Sequence, residues 1–317
     1  MSDILNDVQR RHDFVLVFDV QDGNPNGDPD AGNLPRVDPE TMHGLVTDVC
    51  LKRKVRNYVE AVKGGAESKY KIYVENRGYL VDHQQRAYEV INAKKGDEKK
   101  VDEAREWMCA NYYDVRTFGA VMVGKKGDGY SCGQVRGPVQ LTFGRSIDPI
   151  IPMEVSITRV ALANSGEKPR ADDDKAATGT MGRKAIVPYG LYRAFGFLNP
   201  SLAEQTKFSS EDLALFWQSL RDMWEMDRSA SRGFMACRAL YVFTHESKYG
   251  NASADRLFSF VTDRIHKLQD VSTPRSVHDY VLPSESELRG AMAEADVANV
   301  TLDSLVPLPA RTRAVGV

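Results

Sequence analysis

The residues best suited to chemistry are cations. Lys52, Arg53, Lys54 and Arg56 fall within one short stretch that reads as helix. Lys52 and Arg56 are four apart and share a helix face, with Arg53 flanking them. Upstream runs a loop of Asn, Gly, Pro and Asp: Asp22-Gly-Asn-Pro-Asn-Gly-Asp-Pro-Asp30, then Gly32-Asn-Leu-Pro-Arg36. A stiff polar loop feeding a basic helix suits a polyanion. The cations neutralise phosphates, and Asn side chains with free backbone N–H groups add donors. Arg36, Arg136, Arg145 and the Arg183-Lys184 pair extend the cationic set towards a phosphate-tracking groove. The competing reading of the helix alone is a solvated charged face.

Other chemistries fit less well. Asp22-x-Asn24-x-Asn26-Gly27 matches the opening of an EF-hand loop. Its twelfth position is Asn33 where a bidentate Glu is needed, and a strand leads into it. Turn chemistry explains these residues better. Gly119-Ala-Val-Met-Val-Gly124-Lys125-Lys126 approaches a P-loop but has Lys where Ser or Thr must hold Mg²⁺. The six histidines and four cysteines show no metal spacing. No metal or cofactor is therefore expected.

Composition sets the class. The chain has 317 residues, 42% hydrophobic and 27% charged, with a net charge of −2. Any anion site must come from local clustering, because the molecule as a whole is not basic. The unpaired cysteine pattern, the lack of an apolar run near the roughly 20 residues of a membrane span and the acidic N-terminus predict a cytoplasmic protein.

The elements that would position these residues follow from periodicity. Phe14–Asp19 is apolar at nearly every position, as in a strand buried on both faces. A helix is predicted from Asp38-Pro39-Glu40 to Gly64-Gly65. Residues 68–113 read as a helical insertion with helices at Asp82–Ala93 and Glu98–Tyr112. Glycines near 119, 124–129 and 133–137 read as turns or close backbone approaches. Val155–Leu162 is a strand with a bulge or burial on both faces. Ala163–Lys184 reads as a long polar loop in which Met181 is the one large apolar residue. A strand over Ala185–Phe197 follows, with Pro188 placed at an edge or bulge. Ser209–Met226 is an amphipathic helix with a Ser209/Asp212 capping box. Phe234–Thr244 is a strand and Asp255–Leu268 a helix. The tail from Leu302 shows no clear element. Without the insertions the order is βαββαβ, a ferredoxin-like or RRM-like α+β fold. The chain lacks the exposed aromatics of RRM sheet motifs, so base stacking on the sheet is not expected.

Several of these segments together resemble a known family. They are Asn24–Asp30 with Gly32–Arg36, Thr47–Arg56, Asp114-Val-Arg-Thr-Phe-Gly-Ala120, Arg136-Gly-Pro-Val-Gln140, Phe143-Gly-Arg-Ser146 and Met181-Gly-Arg-Lys184. The chain resembles the repeating backbone subunits of the type I-C CRISPR surveillance complex, Cascade. The resemblance covers nearly all of the chain and is weakest in the tail.

It implies an RRM-like palm over residues 1–67, 136–162 and 185–317, helical fingers over 68–135 and a thumb loop over 163–184. It implies a guide RNA (crRNA) held along its backbone, with target DNA engaged through the guide. Copies would stack head to tail beside the processing, large and small subunits. The thumb would kink the guide at intervals and leave runs of bases free to pair. The residues expected at the RNA are Asn24, Asn26, Arg36, Thr41, Lys52, Arg53, Arg56, Arg136, Gly137, Gln140, Arg145, Met181, Arg183 and Lys184. Gly137 would allow close backbone approach, and Met181 would wedge against a base. No catalysis is expected. The alternatives are a metal-dependent ribonuclease using Asp22, Asp28, Asp30 or Asp38, and a nucleotide-binding module.

Overall fold

A computed structural model describes residues 3–65, 68–124, 129–159 and 180–308. Most of the Ala163–Lys184 loop, the Lys125-Lys126 pair and the end of the tail lie outside the described residues. In chain order, β1 (His12–Gly23) leads to the two-residue strands β2 (Gly27–Asp28) and β3 (Leu34–Pro35), then β4 (His43–Val46) and α1 (Asp48–Lys63). The helices α2 (Leu80–Val90), α3 (Val101–Asn111) and α4 (Tyr113–Phe118) come next, then strands β5 (Gly119–Met122) and β6 (Gly133–Arg136). Strands β7 (Val139–Leu141), β8 (Gly144–Pro149), β9 (Met153–Arg159) and β10 (Thr180–Leu198) follow. The chain continues through α5 (Pro200–Thr206), α6 (Ser210–Met226), β11 (Phe234–His245) and α7 (Ala254–Thr262). It closes with β12 (His266–Lys267), β13 (Tyr280–Val281), α8 (Glu285–Glu294) and β14 (Val300–Ser304).

The protein is a mixed α/β fold on a large antiparallel sheet. Its strand order is β14-β11-β1-β10-β8-β4, with β7 and β9 also paired to β10. On one face α1 and α6 bury Leu51, Val55, Phe216, Leu220 and Trp224 against Phe14, Leu16 and Phe18. On the other, α7 and α8 bury Leu257, Val261, Leu288 and Met292 against Val15, Val17 and Phe243. Alternate residues of β1 thus serve two cores, and this is why its sequence is apolar without alternation. A third cluster, including Tyr73, Tyr88, Met108, Tyr112 and Val115, lies among α2, α3, α4 and the β5–β6 ladder.

The structure departs from the sequence reading at several points. The helix predicted from Asp38 starts at Asp48, capped by Thr47, whose side chain accepts the Cys50 N–H. Asp38-Pro39-Glu40 forms a turn instead, in which the Asp38 carboxylate accepts the N–H groups of Glu40 and Thr41. Met42 then takes φ +57°, which no helix tolerates, and His43–Val46 pairs with β8.

Over its described residues β9 carries neither a bulge nor double burial, while Val160–Leu162, on which that expectation also rested, lie outside them. It runs in unbroken register with β10, and residues 156–158 are exposed. Pro188 sits inside a central strand, yet it costs no ladder bond. The register on β1 steps from Gln21 opposite Tyr189 to Gly23 opposite Val187. On the far side it falls between β9, paired up to Ile186, and β8, paired from Tyr192.

Helix α7 ends at Thr262 rather than Leu268. Ahead of the tail lies α8, whose Ser284/Glu287 capping box was a readable signal, and the tail itself opens within β14, which pairs with β11. The helix α6 and its Ser209/Asp212 capping box are as expected.

Candidate nucleic-acid interface

The polar loop is held rigid by its own asparagines. Asn24 donates through Nδ2 to Asn33 O at 2.7 Å, and its N–H reaches Ser231 O at 2.8 Å. Asn26 Oδ1 accepts from the Thr47 N–H at 2.9 Å and the Thr47 hydroxyl at 3.0 Å. This fixes the loop against the N-terminus of the basic helix. Gly32 (φ +62°) and Asn33 (φ +65°) turn the chain through the left-handed region that Gly and Asn favour. Arg36 faces Asp28 at 3.3 Å. Both asparagines therefore brace the loop from within.

The four clustered cations of α1, Lys52, Arg53, Lys54 and Arg56, meet different environments. Lys52 pairs with Asp48 one turn away at 2.9 Å. Arg56 donates to Asp114 at 2.8 Å, and that carboxylate is buried and also accepts the N–H groups of Tyr73 and Val74. Lys52 and Arg56 both lie over the Phe118 ring, at 5.6 and 5.4 Å. Lys54 is buried and paired with Asp227; burial pushes its pKa down, against the pull of that carboxylate. Arg53 has no carboxylate within ion-pair distance among the described residues, and its Nη1 is buried without a partner. Burial, and then the neighbouring Arg56 cation, push its pKa down. Arg53 is thus the one member of the Lys52–Arg56 cluster without an ion pair among the described residues.

A prediction follows. Arg53→Ala should weaken single-stranded RNA binding more than Lys52→Ala, and should lower the salt slope by about 1. Lys52 must first leave Asp48, with which it forms a part-buried pair one helical turn apart. Salt titrations of both variants check this; equal losses would contradict it.

The remaining residues form two further patches. Arg145 on β8 pairs with Asp38 at 2.7 Å. Its guanidinium, then the Glu40 N–H, lower the Asp38 pKa to about 2. Thr41 closes the same turn. Leu45 lies opposite Arg145 in the ladder and donates to Arg36 O, which links this patch to the loop. Arg136 and Gln140 are exposed at the end of β6 and on β7. Gln140 donates to Gly137 O at 3.1 Å. Gly137 needs its missing side chain for its own fold: a Cβ there would lie 2.3 Å from Phe118 C. Gly119 (φ +84°) meets the same crossing, with Val135 O 2.4 Å from a built Cβ.

The structure brings the loop and the β9–β10 ribbon together around a groove of about 310 Å³, lined by Asn24, Gly32, Asn33, Glu154, Arg183 and Lys184. Arg183 stands opposite Ser156 and Lys184 opposite Val155 in the ribbon. Neither makes an ion pair among the described residues. Met181 lies opposite Thr158, and its side chain is outside the described residues.

Sequence reasoning missed four residues that shape the site: Phe118, Asp114, Asp227 and Arg232. The first two sit in the Asp114–Ala120 segment, which carried resemblance without a role. Among the described residues no group of three or more His, Cys, Asp or Glu side chains is arranged to hold a metal ion. No described helix is long and apolar enough to cross a membrane. What the site offers is a rigid backbone loop ringed by cations, which is the chemistry of phosphate binding.

Known proteins share this sequence and fold. A family model described as CRISPR-associated protein Cas7 matches residues 10–285. The CRISPR-associated protein Cas7 of Haloferax volcanii is 26% identical over 241 residues, covering 67% of this chain and 64% of that protein. The chain thus spans under two thirds of the length of this curated relative. A chain of a solved CRISPR RNA-guided surveillance complex, pre-nicking, superposes with a TM-score of 0.50 at 17% identity, over 90% of this chain and 87% of that one. At that identity the likeness is one of fold. The family match covers most of the sequence, and the chain belongs to the CRISPR-associated Cas7 family.

Proposed function

We propose that this chain is a non-catalytic backbone subunit of a type I-C CRISPR surveillance complex, binding guide RNA along its phosphates. The observation that carries this reading is a loop locked by its own asparagines, with Arg183 and Lys184 lining its groove and Arg53 on the helix that follows, all three without an ion pair among the described residues. Contacts of this kind grip backbone and leave sequence to base pairing with target DNA.

The strand order β11-β1-β10-β8, with α1 and α6 on one face, supports an RRM-like, ferredoxin-like palm. The opposite face is occupied by α7 and α8, so the RNA would run along the loop and ribbon instead. In this reading residues 68–135 are the fingers, and the β9–β10 ribbon with residues 160–179 is the thumb. Copies stack head to tail on the guide in the cytoplasm, alongside the processing, large and small subunits. A head-to-tail contact that does not close gives a helical array.

The ribonuclease alternative needs free carboxylates. Of its four candidates, Asp28 and Asp38 each face an arginine, Arg36 at 3.3 Å and Arg145 at 2.7 Å, while Asp22 and Asp30 make no ion pair among the described residues.

The test is binding of labelled single-stranded RNA with and without Mg²⁺. The proposal expects salt-dependent binding, sequence tolerance and intact RNA. Mg²⁺-dependent cleavage abolished by alanine at Asp22, Asp28, Asp30 or Asp38 would overturn it in favour of the nuclease.

A further inference from the structure

We infer that Asp227 and Arg232, in the turn between α6 and β11, are positioning residues that hold the RNA-binding loop in shape; the inference rests on the function proposed above. Arg232 donates from Nη1 to Pro25 O at 3.0 Å and to Asn24 O at 3.4 Å. Its Nε faces the Asp227 carboxylate at 3.3 Å. The same carboxylate oxygen takes the buried ammonium of Lys54 from α1. One carboxylate therefore ties three segments together: the basic helix, the α6–β11 turn and, through Arg232, the backbone of the polar loop.

The backbone supports the same arrangement. The Asn24 N–H donates to Ser231 O at 2.8 Å. Gly23 packs so closely that a Cβ would lie 1.9 Å from Arg232 O. Gly233, at φ +63°, approaches Gln21 O in the same way, at 2.4 Å. The turn is itself fixed, since the N–H groups of Arg232 and Gly233 both donate to Ser229 O.

Neither Asp227 nor Arg232 lines the groove that holds Arg183 and Lys184. Their route to the ligand is the loop. With the carbonyls of Asn24 and Pro25 held from behind, Asn24 and Asn26 can meet Asn33 and Thr47 at fixed distances. Without that grip the loop exchanges among conformers, and only a fraction presents the binding surface.

Arg232→Ala and Arg232→Lys in the full chain test this by two readouts. The first is affinity for single-stranded RNA across a salt series. The second is hydrogen exchange over residues 22–36. Arg232→Ala is expected to bind about tenfold more weakly, since it loses charged hydrogen bonds that hold the loop. Its salt slope should stay unchanged, and exchange over 22–36 should accelerate. Arg232→Lys keeps the charge but loses the fork, and should fall between. If Arg232→Ala does not fold, the Lys variant carries the comparison. A salt slope lower by about 1 would mean that Arg232 itself touches phosphate, and would overturn the positioning role. So would unchanged affinity and exchange. Failure of the unaltered chain to bind RNA would count against the proposed function, while the exchange readout would still decide the brace.

Discussion

Replacing Arg116 by Ala is expected to destabilise the protein by about 3–5 kcal/mol, the range for breaking a buried ion pair from one side. Arg116 and Asp212 have side chains only 5% and 3% exposed. The guanidinium donates to both carboxylate oxygens, at 3.0 and 2.8 Å, and to the carbonyls of Lys69 and Cys109. Asp212 also accepts from the N–H and hydroxyl of Ser209, closing the capping box of α6. Removing Arg116 leaves that carboxylate buried without a counter-charge and frees two carbonyls. It also unties α4 from α6, where the α2–α4 region meets the main sheet's helices. Denaturant titration measures the loss. A cycle with Asp212→Ala should be strongly non-additive, because the second change removes the charge that the first stranded. A loss below about 1 kcal/mol would place this pair with ordinary surface pairs.

Acid is expected to weaken the fold through His12, by about 3 kcal/mol between pH 6.5 and 4. His12 is fully buried, accepting at Nδ1 from the Thr244 hydroxyl and donating from Nε2 to Asp7 O. Burial lowers its pKa from 6.5 to about 4, against the opposing pull of Asp7. Above pH 6.5 the ring is neutral in both states, and its contribution is fully present. Between 6.5 and 4 the unfolded chain takes up the proton and the folded chain does not, so stability falls with pH across that window. His12→Gln keeps an amide near Asp7 O but cannot titrate. Denaturation at pH 7.5 and 4.5 should show a smaller pH loss for the variant than for the unaltered chain. Equal losses would remove His12 as the cause.

Much of the frame was legible because local signals agreed with tertiary ones. The unbroken apolar run of β1 announces its two cores. Helix α6 carries both its 3.6-residue period and its capping box. The start of α1 was not legible. Asp38-Pro39-Glu40 is a sound helix opening that the chain uses as a turn, because His43–Val46 is drawn into the sheet by β8. The cap that the chain uses is Thr47, and pairing of His43–Val46 with a strand about 100 residues away moves the helix start there.

The site was legible as a set of residue types and not as a set of roles. Lys52, Arg53 and Arg56 look alike in the sequence. Their difference depends on Asp48 one turn back and on Asp114, which folding brings to Arg56 from α4. Asn24 and Asn26 read as donors to a ligand, and in the fold both also secure the loop. Arg232 gave no signal at all, since its targets are the carbonyls of Asn24 and Pro25. Carbonyl positions are set by conformation and are invisible to residue type.

The central claim is that this Cas7-family chain holds RNA by its backbone in a repeating array. The most direct measurement is to purify the chain from an expression host, ask whether RNA accompanies it, and map that RNA by nuclease protection. The account predicts salt-sensitive, sequence-mixed RNA protected in a ladder of regular spacing, and loss of the ladder in an Arg53→Ala, Arg183→Ala double variant. A chain that stays free of nucleic acid, and that also fails to bind added guide RNA at low salt, would contradict it.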